Sequence, residues 1–271
     1  MTLRLAILGI LFCGLVEMAA AAPIPGLYGS DRSGSLFLIN TTNAATTPIG
    51  GSVSVVGGST EIEYDNIGGT AFSQNIDGSF SGNFFDIMTG LPTSGTIFNF
   101  GSYTGLEYVG STLYGTVIYS GGGASPSELR TLVPSTGAST LIGLTGVGAI
   151  AGLAYDGATM YGIAGGPGPA TLYTINLGNG VATSVFTTSF QAGSLQFGLD
   201  GNLYAGGTGG SGGLLYRINL SNNTDTLVGA TGYTEITGLT LVVPEPSTLV
   251  LAALGLTGMG LVALRRHYRR G

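Results

Sequence analysis

A short aromatic run recurs five times along this chain, and its spacing limits the possible folds more than any other feature. Leu27-Tyr28-Gly29, Ala71-Phe72-Ser73, Leu113-Tyr114-Gly115, Met160-Tyr161-Gly162 and Leu203-Tyr204-Ala205 set their aromatic residues 44, 42, 47 and 43 positions apart. A second run follows each in register, over residues 36–40, 84–87, 129–132, 172–176 and 215–219. A third follows a turn, at 47–50, 96–98, 140–143, 183–186 and 226–229. From the third unit on, another run precedes the aromatic one, as in Gly105-Leu106-Glu107-Tyr108 and Gly152-Leu153-Ala154-Tyr155. Four short alternating strands with Gly/Asn turns make one propeller blade, so the period predicts an all-β propeller of about five four-stranded blades. A solenoid coil of this length would be long, and a sandwich would not repeat in register five times.

The ends of the repeat array explain each other. The run Ile236-Thr237-Gly238-Leu239-Thr240-Leu241 reads as an innermost strand with no blade after it. The array opens instead on a second strand, at Leu27-Tyr28-Gly29. Pairing the two completes a first blade from both ends and closes the ring, which removes exposed sheet edges. The second unit, about residues 51–104, is the most divergent.

Glycine supplies 50 of the 271 residues without a triplet period, which fits turn-rich β structure rather than collagen. Between the terminal segments only Arg32, Arg130 and Arg217 oppose twelve acids, a net charge of 3 − 12 = −9. Nucleic-acid binding needs a basic surface, and this region has none. The single cysteine, Cys13, and the single histidine, His267, both lie in the terminal segments, and the chain has no lysine. The central region therefore lacks the residues for Ser-His-Asp, Cys-His or Ser-Lys catalysis and for imidazole or thiolate metal sites. Carboxylates, tyrosines and hydroxyls remain, and no cofactor is expected.

Both termini read as sorting segments. Arg4, the apolar run Leu5–Val16 and the small residues Ala19–Ala22 form a secretory signal over 1–21, to be removed by signal peptidase, with the ectodomain over 22–242. At the other end, Val243, Pro244, Glu245, Pro246 and Ser247 lead into an uncharged run over 248–264. Those 17 residues span about 26 Å as a helix, near the lower limit for a bilayer. Arg265, Arg266, Arg269 and Arg270, in the basic tail 265–271, would stay cytoplasmic as the stop-transfer cluster. Pro244 and Pro246 keep the Glu245 peptide extended and accessible to a processing enzyme.

Motif, helix and basic tail in this order, over 243–271, resemble the PEP-CTERM sorting signal of exopolysaccharide-producing Gram-negative bacteria. The resemblance implies a membrane-anchored precursor, cleavage by an exosortase near Pro244-Glu245-Pro246, and passage to the cell envelope or extracellular, biofilm matrix. The same C-terminal segment occurs on unrelated ectodomains, some ice-binding proteins among them, so it carries no activity with it. The propeller consensus is also similar to repeat domains found before this signal.

Candidate sites in the ectodomain are few. Glu61, Glu63 and Asp65 alternate along one strand and would share a face. We read that face as charged and solubilising, with Ca²⁺ ligation by the three carboxylates as the alternative. Asp77, Asp156 and Asp200 each precede glycine and read as hairpin turns. Glu63, Glu107 and Glu235 are the acids expected on inner strands, where two at a suitable distance would allow glycoside hydrolysis. Nothing in the sequence selects a pair, and we expect a non-enzymatic structural or binding module that contacts extracellular polysaccharide. The alternatives are a carboxylate-based glycan hydrolase or lyase, or an ice- or surface-binding protein with a flat Thr-rich face. Most of the thirteen tyrosines sit where an aromatic packs between blades rather than where it would stack on sugar. The glycine-rich segments 165–169 and 206–210 read as loops between blade strands.

Overall fold

The computed structural model describes residues 23–50, 59–67, 69–75, 81–91, 93, 98–99, 103–117 and 126–243. The signal segment 1–21, the sorting residues 244–271 and the Asp77-Gly78 turn lie outside the described residues. Among the described residues no helix is long and apolar enough to cross a membrane.

Among the described residues twenty strands form five antiparallel four-stranded sheets. The first sheet contains β1 (Gly26–Ser30), β2 (Leu36–Ile39) and β3 (Thr46–Ile49). The second is β4 (Ser59–Asp65), β5 (Thr70–Asn75), β6 (Ser81–Phe85) and β7 (Phe98–Asn99). The third is β8 (Tyr103–Val109), β9 (Thr112–Val117), β10 (Glu128–Val133) and β11 (Ala138–Leu144). The fourth is β12 (Ile150–Tyr155), β13 (Met160–Ala164), β14 (Thr171–Ile175) and β15 (Ala182–Thr187). The fifth is β16 (Ala192–Phe197), β17 (Leu203–Gly207), β18 (Leu214–Asn219) and β19 (Thr224–Ala230). The last strand, β20 (Gly238–Val242), pairs with β1 as the inner strand of the first sheet. Around the axis β20 neighbours β4, β4 neighbours β8, and the series runs through β12 and β16 back to β20. The structure is thus a closed five-bladed propeller, joined within its first blade as the two ends of the repeat array predict.

The recurring aromatic residue holds each blade to the next. Tyr28 packs with Ile62 and Tyr64 of the second blade, and Phe72 with Leu106 of the third. Tyr114 packs against the cluster holding Leu153, Tyr161 meets Phe197 edge-on at 5.9 Å, and Tyr204 returns to Leu27 of the first blade. Burying such a ring contributes about 1.5–3 kcal/mol, so the repeat supplies one large apolar contact per blade interface. Near the axis the inner strands come so close that side chains are excluded. A Cβ on Gly152 would lie 2.4 Å from Leu195 N, and one on Gly238 would lie 2.6 Å from Ile62 N. Part of the high glycine content is therefore a requirement of a narrow ring. Gly206 and Gly207, read from sequence as loop, are the end of β17, where a Cβ on Gly207 would lie 2.1 Å from Ser211 O.

A second repeated device ties the ends of the outer strands β11, β15 and β19 back to their blades. The hydroxyls of Thr145, Thr188 and Thr231 each donate to a carbonyl eighteen residues earlier, on Ser127, Ala170 and Gly213, at 2.9, 3.0 and 2.7 Å. Thr188 is buried and also accepts from Ala170 N at 3.1 Å. Replacing it with valine keeps the volume but strands buried polar groups, a loss of about 1–3 kcal/mol. The Thr188→Val chain should accordingly unfold at lower urea than the parent. Thr187→Val, at the adjacent exposed position, should leave the midpoint unchanged.

Candidate functional site

The inner strands share a common register against the aromatic strands. Glu63 pairs opposite Phe72, Glu107 opposite Tyr114, Ala154 opposite Tyr161, Gln196 opposite Tyr204, and Thr240 opposite Tyr28. One residue from each blade therefore forms a ring at one level of the axis. Two positions earlier the corresponding residues are Glu61, Gly105, Gly152, Ser194 and Gly238, so Glu61 projects into a level made mostly of glycine. All five members of the Glu63 ring are buried.

The ring satisfies itself and the strand edges beside it. Tyr64 N donates to Thr240 Oγ1 at 2.9 Å, and Thr240 Oγ1 donates to Glu63 Oε2 at 3.1 Å. Glu63 Oε1 accepts from Tyr108 N at 3.3 Å in the next blade. Gln196 Nε2 donates to Glu107 Oε2 at 3.0 Å, while its Oε1 accepts from Phe197 N at 2.7 Å. Glu61 Oε1 accepts from Ile62 N and Leu239 N, each at 3.3 Å. Side chains at the axis thereby bond amides that an inner strand has no further strand to pair with.

Burial dominates the electrostatics here. It raises the Glu63 carboxyl to about 8, against partial lowering by Tyr108 N and the Thr240 hydroxyl. Desolvation, reinforced by Glu63, pushes Glu61 and Glu107 well above the usual carboxylate range. The half-buried phenol of Tyr108 is raised as well, by desolvation first and then by Asp65 and Glu63. Among the described residues lining this cavity there is no arginine, so no counter-charge there offsets the burial that raises these carboxyls. Above the ring a cavity of about 250 Å³ opens on one face of the disc. Its floor is Glu63, Glu107 and Gln196, and its walls include the rings of Tyr108, Tyr155 and Phe197. The opposite mouth of the axis is a separate depression of about 390 Å³, bordered by Arg32, Gln191 and Glu235.

Beyond the propeller, residues 242–270 match the family model for the PEP-CTERM protein-sorting motif. The C-terminal segment is a PEP-CTERM sorting motif. It implies export, a membrane-anchored precursor and exosortase processing. No curated protein matches the chain. Among solved structures, a chain in the crystal structure of a nidogen/laminin complex is similar at TM-score 0.54 and 15% identity, covering 82% of each chain. TolB from Acinetobacter baumannii is similar at TM-score 0.50 and 14% identity, over 84% of this chain and 58% of TolB. At these identities the likeness is one of fold alone.

The PEP-CTERM motif leaves the propeller beside the acidic cavity. Asn66, on the cavity wall, donates from Nδ2 to Leu241 O at 2.8 Å and accepts from Val243 N at 2.7 Å. Val243 is the last described residue; the rest of the motif, including Arg265, Arg266, Arg269 and Arg270, lies outside the described residues.

The other predicted sites fall in different places. Glu61 and Glu63 do share a strand face, but it is the axial one, with exposures of 1% and 2%. The solubilising reading is thus corrected, since a four-stranded blade buries its inner strand on every side. Asp65 lies at the rim, where its Oδ1 accepts from Ile67 N at 2.9 Å. Among the described residues no three acids converge at metal-binding distances. Glu63 and Glu107 are on inner strands as expected, but Glu235 precedes β20 and pairs with Arg32 at 3.0 Å. Asp156 and Asp200 are turn residues, with the following Gly157 and Gly201 at φ 97° and 74°. Gln196 and Thr240 were not singled out in the sequence; aligning each inner run on its aromatic partner would have found them.

Proposed function

We propose that this protein is a non-enzymatic binding module sorted to the cell envelope or extracellular matrix, with the acidic axial cavity as its binding site for polysaccharide. The observation that carries this reading is the cavity's make-up: buried carboxyl and amide groups on the floor, tyrosine and phenylalanine residues on the wall. Such a surface suits an uncharged sugar, whose hydroxyls bond to polar groups and whose apolar face stacks on aromatic rings. At about 250 Å³ the cavity is smaller than the roughly 300–1,000 Å³ of a typical small-molecule site. It suits a terminal or protruding ring rather than the run of a chain. Export by signal peptidase cleavage near residue 21, and release by an exosortase acting at Pro244-Glu245-Pro246, belong to the same reading.

Glycan hydrolysis or lysis is the second reading, because Glu63 and Glu107 face one cavity. Hydrolysis by a carboxyl pair needs one protonated and one ionised member. Both acids here are raised by burial, and among the described residues no cation lines the cavity to ionise one of them. That favours binding over catalysis. In glycan-array and calorimetric measurements, the processed protein should bind a neutral oligosaccharide, and Tyr108→Ala should weaken it about tenfold, the value of one ring contact. Binding untouched by Tyr108→Ala, or reducing sugar released with time, would refute the proposal.

A further inference from the structure

The propeller's two ends and its acidic cavity lie on one face of the disc. Gly26 pairs with Val242, so β1 begins and β20 ends on the same face of the disc. The inner-strand hairpins that border the cavity, at Asn66, Ile67 and Gly110, are on that face too. Because β20 is an inner strand, the chain leaves near the axis rather than at the rim. Between Val243 and the apolar run at Thr248 there are five residue steps, at most about 18 Å of chain. Three strand spacings separate the inner and outer strands of a blade, about 14 Å, and the axis and outer side chains bring the rim to roughly 20 Å from the exit point. A tether shorter than that radius cannot let the disc tip onto its edge.

We infer that in the membrane-anchored precursor the cavity-bearing face is turned toward the bilayer and shielded by it, and that exosortase cleavage uncovers it. The inference rests on the anchored precursor that the PEP-CTERM motif implies, and not on what the cavity binds. Shielding is imposed by the tether and not by adhesion. The face carries Asp65, Asp156 and Asp200, whereas Arg32 lies at the opposite mouth. Once cut, no cation among the described residues of this face attracts it to anionic lipid. Binding of bulky matrix partners at the axis would therefore follow processing and not precede it.

The absence of cysteine from the ectodomain makes a direct test possible in the full chain, with Cys13→Ser as background. Ile67→Cys places a thiol at the cavity mouth, where Ile67 is 66% exposed, and Leu144→Cys places one at the opposite end of a blade, 53% exposed. In cells lacking exosortase, a small maleimide should label both sites. A maleimide on a polyethylene glycol wider than the gap should label Leu144→Cys freely and Ile67→Cys at least about tenfold more slowly. A chain ended after Val243 should lose that difference. So should a chain with twenty Gly/Ser residues inserted after Val243, which reaches about 25 Å on average. Equal polymer labelling of the two sites in the anchored chain would overturn the inference. Protection that survives the longer tether, or an Ile67→Cys thiol that the small reagent cannot reach, would overturn it as well.

Discussion

Ending the chain after Thr237 should leave no cooperatively folded domain, whereas ending it after Val243 should leave the propeller intact. The two shortened chains differ by six residues and both lack Pro244-Glu245-Pro246 and all that follows, so the comparison isolates β20. Loss of β20 removes its whole antiparallel ladder to β1, from Gly26↔Val242 to Ser30↔Gly238. It removes the buried side chains of Leu239 and Val242, each contributing about 1.5–3 kcal/mol. Tyr64 N loses its Thr240 acceptor, and Asn66 loses both partners on the strand. Ladder bonds add about 0.5–1.5 kcal/mol apiece, so the total reaches the 5–15 kcal/mol that holds an ordinary domain together. The ring also opens: β1 becomes a free edge, and β4 and β16 lose the strand between them, which invites edge-to-edge association. Far-UV circular dichroism, urea titration and size exclusion would report the outcome. A soluble Thr237-terminated monomer with the parent's unfolding midpoint would show that closure is not what holds the blades.

The blades and their closure were legible because their cues are local and repeated. An aromatic residue before a small one, a Leu-x-x-Ile-Asn strand and a Thr-rich outer strand recur at nearly constant spacing, and tertiary packing uses them the same way each time. The axis was less legible, for a definite reason. Glu63, Glu107, Ala154, Gln196 and Thr240 share one position in space but no common chemistry, so a search for repeated residue types passes over them. An alternating Glu-Ile-Glu-Tyr-Asp strand also reads equally well as a wet face or an axial one; only its place as innermost strand decides. Glu235 reads in the sequence as part of the last inner strand, which instead begins at Gly238. Asn40, Asn176 and Asn219 are part of the same lesson. Each caps the turn between the third and fourth strands, bonding the amides of Thr42, Gly178 and Ser221 at 2.9, 2.8 and 2.9 Å, a role that Asp86 takes in the second blade.

Substituting Glu63 by glutamine should stabilise the protein at pH 8.5 and change little near pH 4. The carboxyl is raised in the folded state to about 8 from an ordinary 4.5, chiefly by burial. Below the ordinary value it is protonated both folded and unfolded, and titration gives no difference. Between the two values the unfolded chain releases the proton and the folded chain keeps it, so the folded state binds more protons and stability falls as pH rises. Each unit of separation is worth about 1.4 kcal/mol, and the cumulative loss from Glu63 amounts to a few kcal/mol, complete once pH passes its folded value. Glutamine keeps an acceptor for Tyr108 N and a polar group for the Thr240 hydroxyl, as the protonated acid does, but cannot ionise. Glu61 and Glu107 are raised in the same direction, so the parent's urea midpoint should decline steadily from pH 4.5 to pH 8.5. The Glu63→Gln chain should decline less over that range. The folded group is surrounded by acids and tyrosines, namely Glu61, Glu107, Asp65 and Tyr108, with no arginine among the residues lining the cavity, so no counter-ion offsets the trend. A midpoint that rises with pH, or a Glu63→Gln chain that is less stable than the parent at pH 8.5, would mean that Glu63 is ionised at the axis and that the neutral site proposed for sugar does not exist.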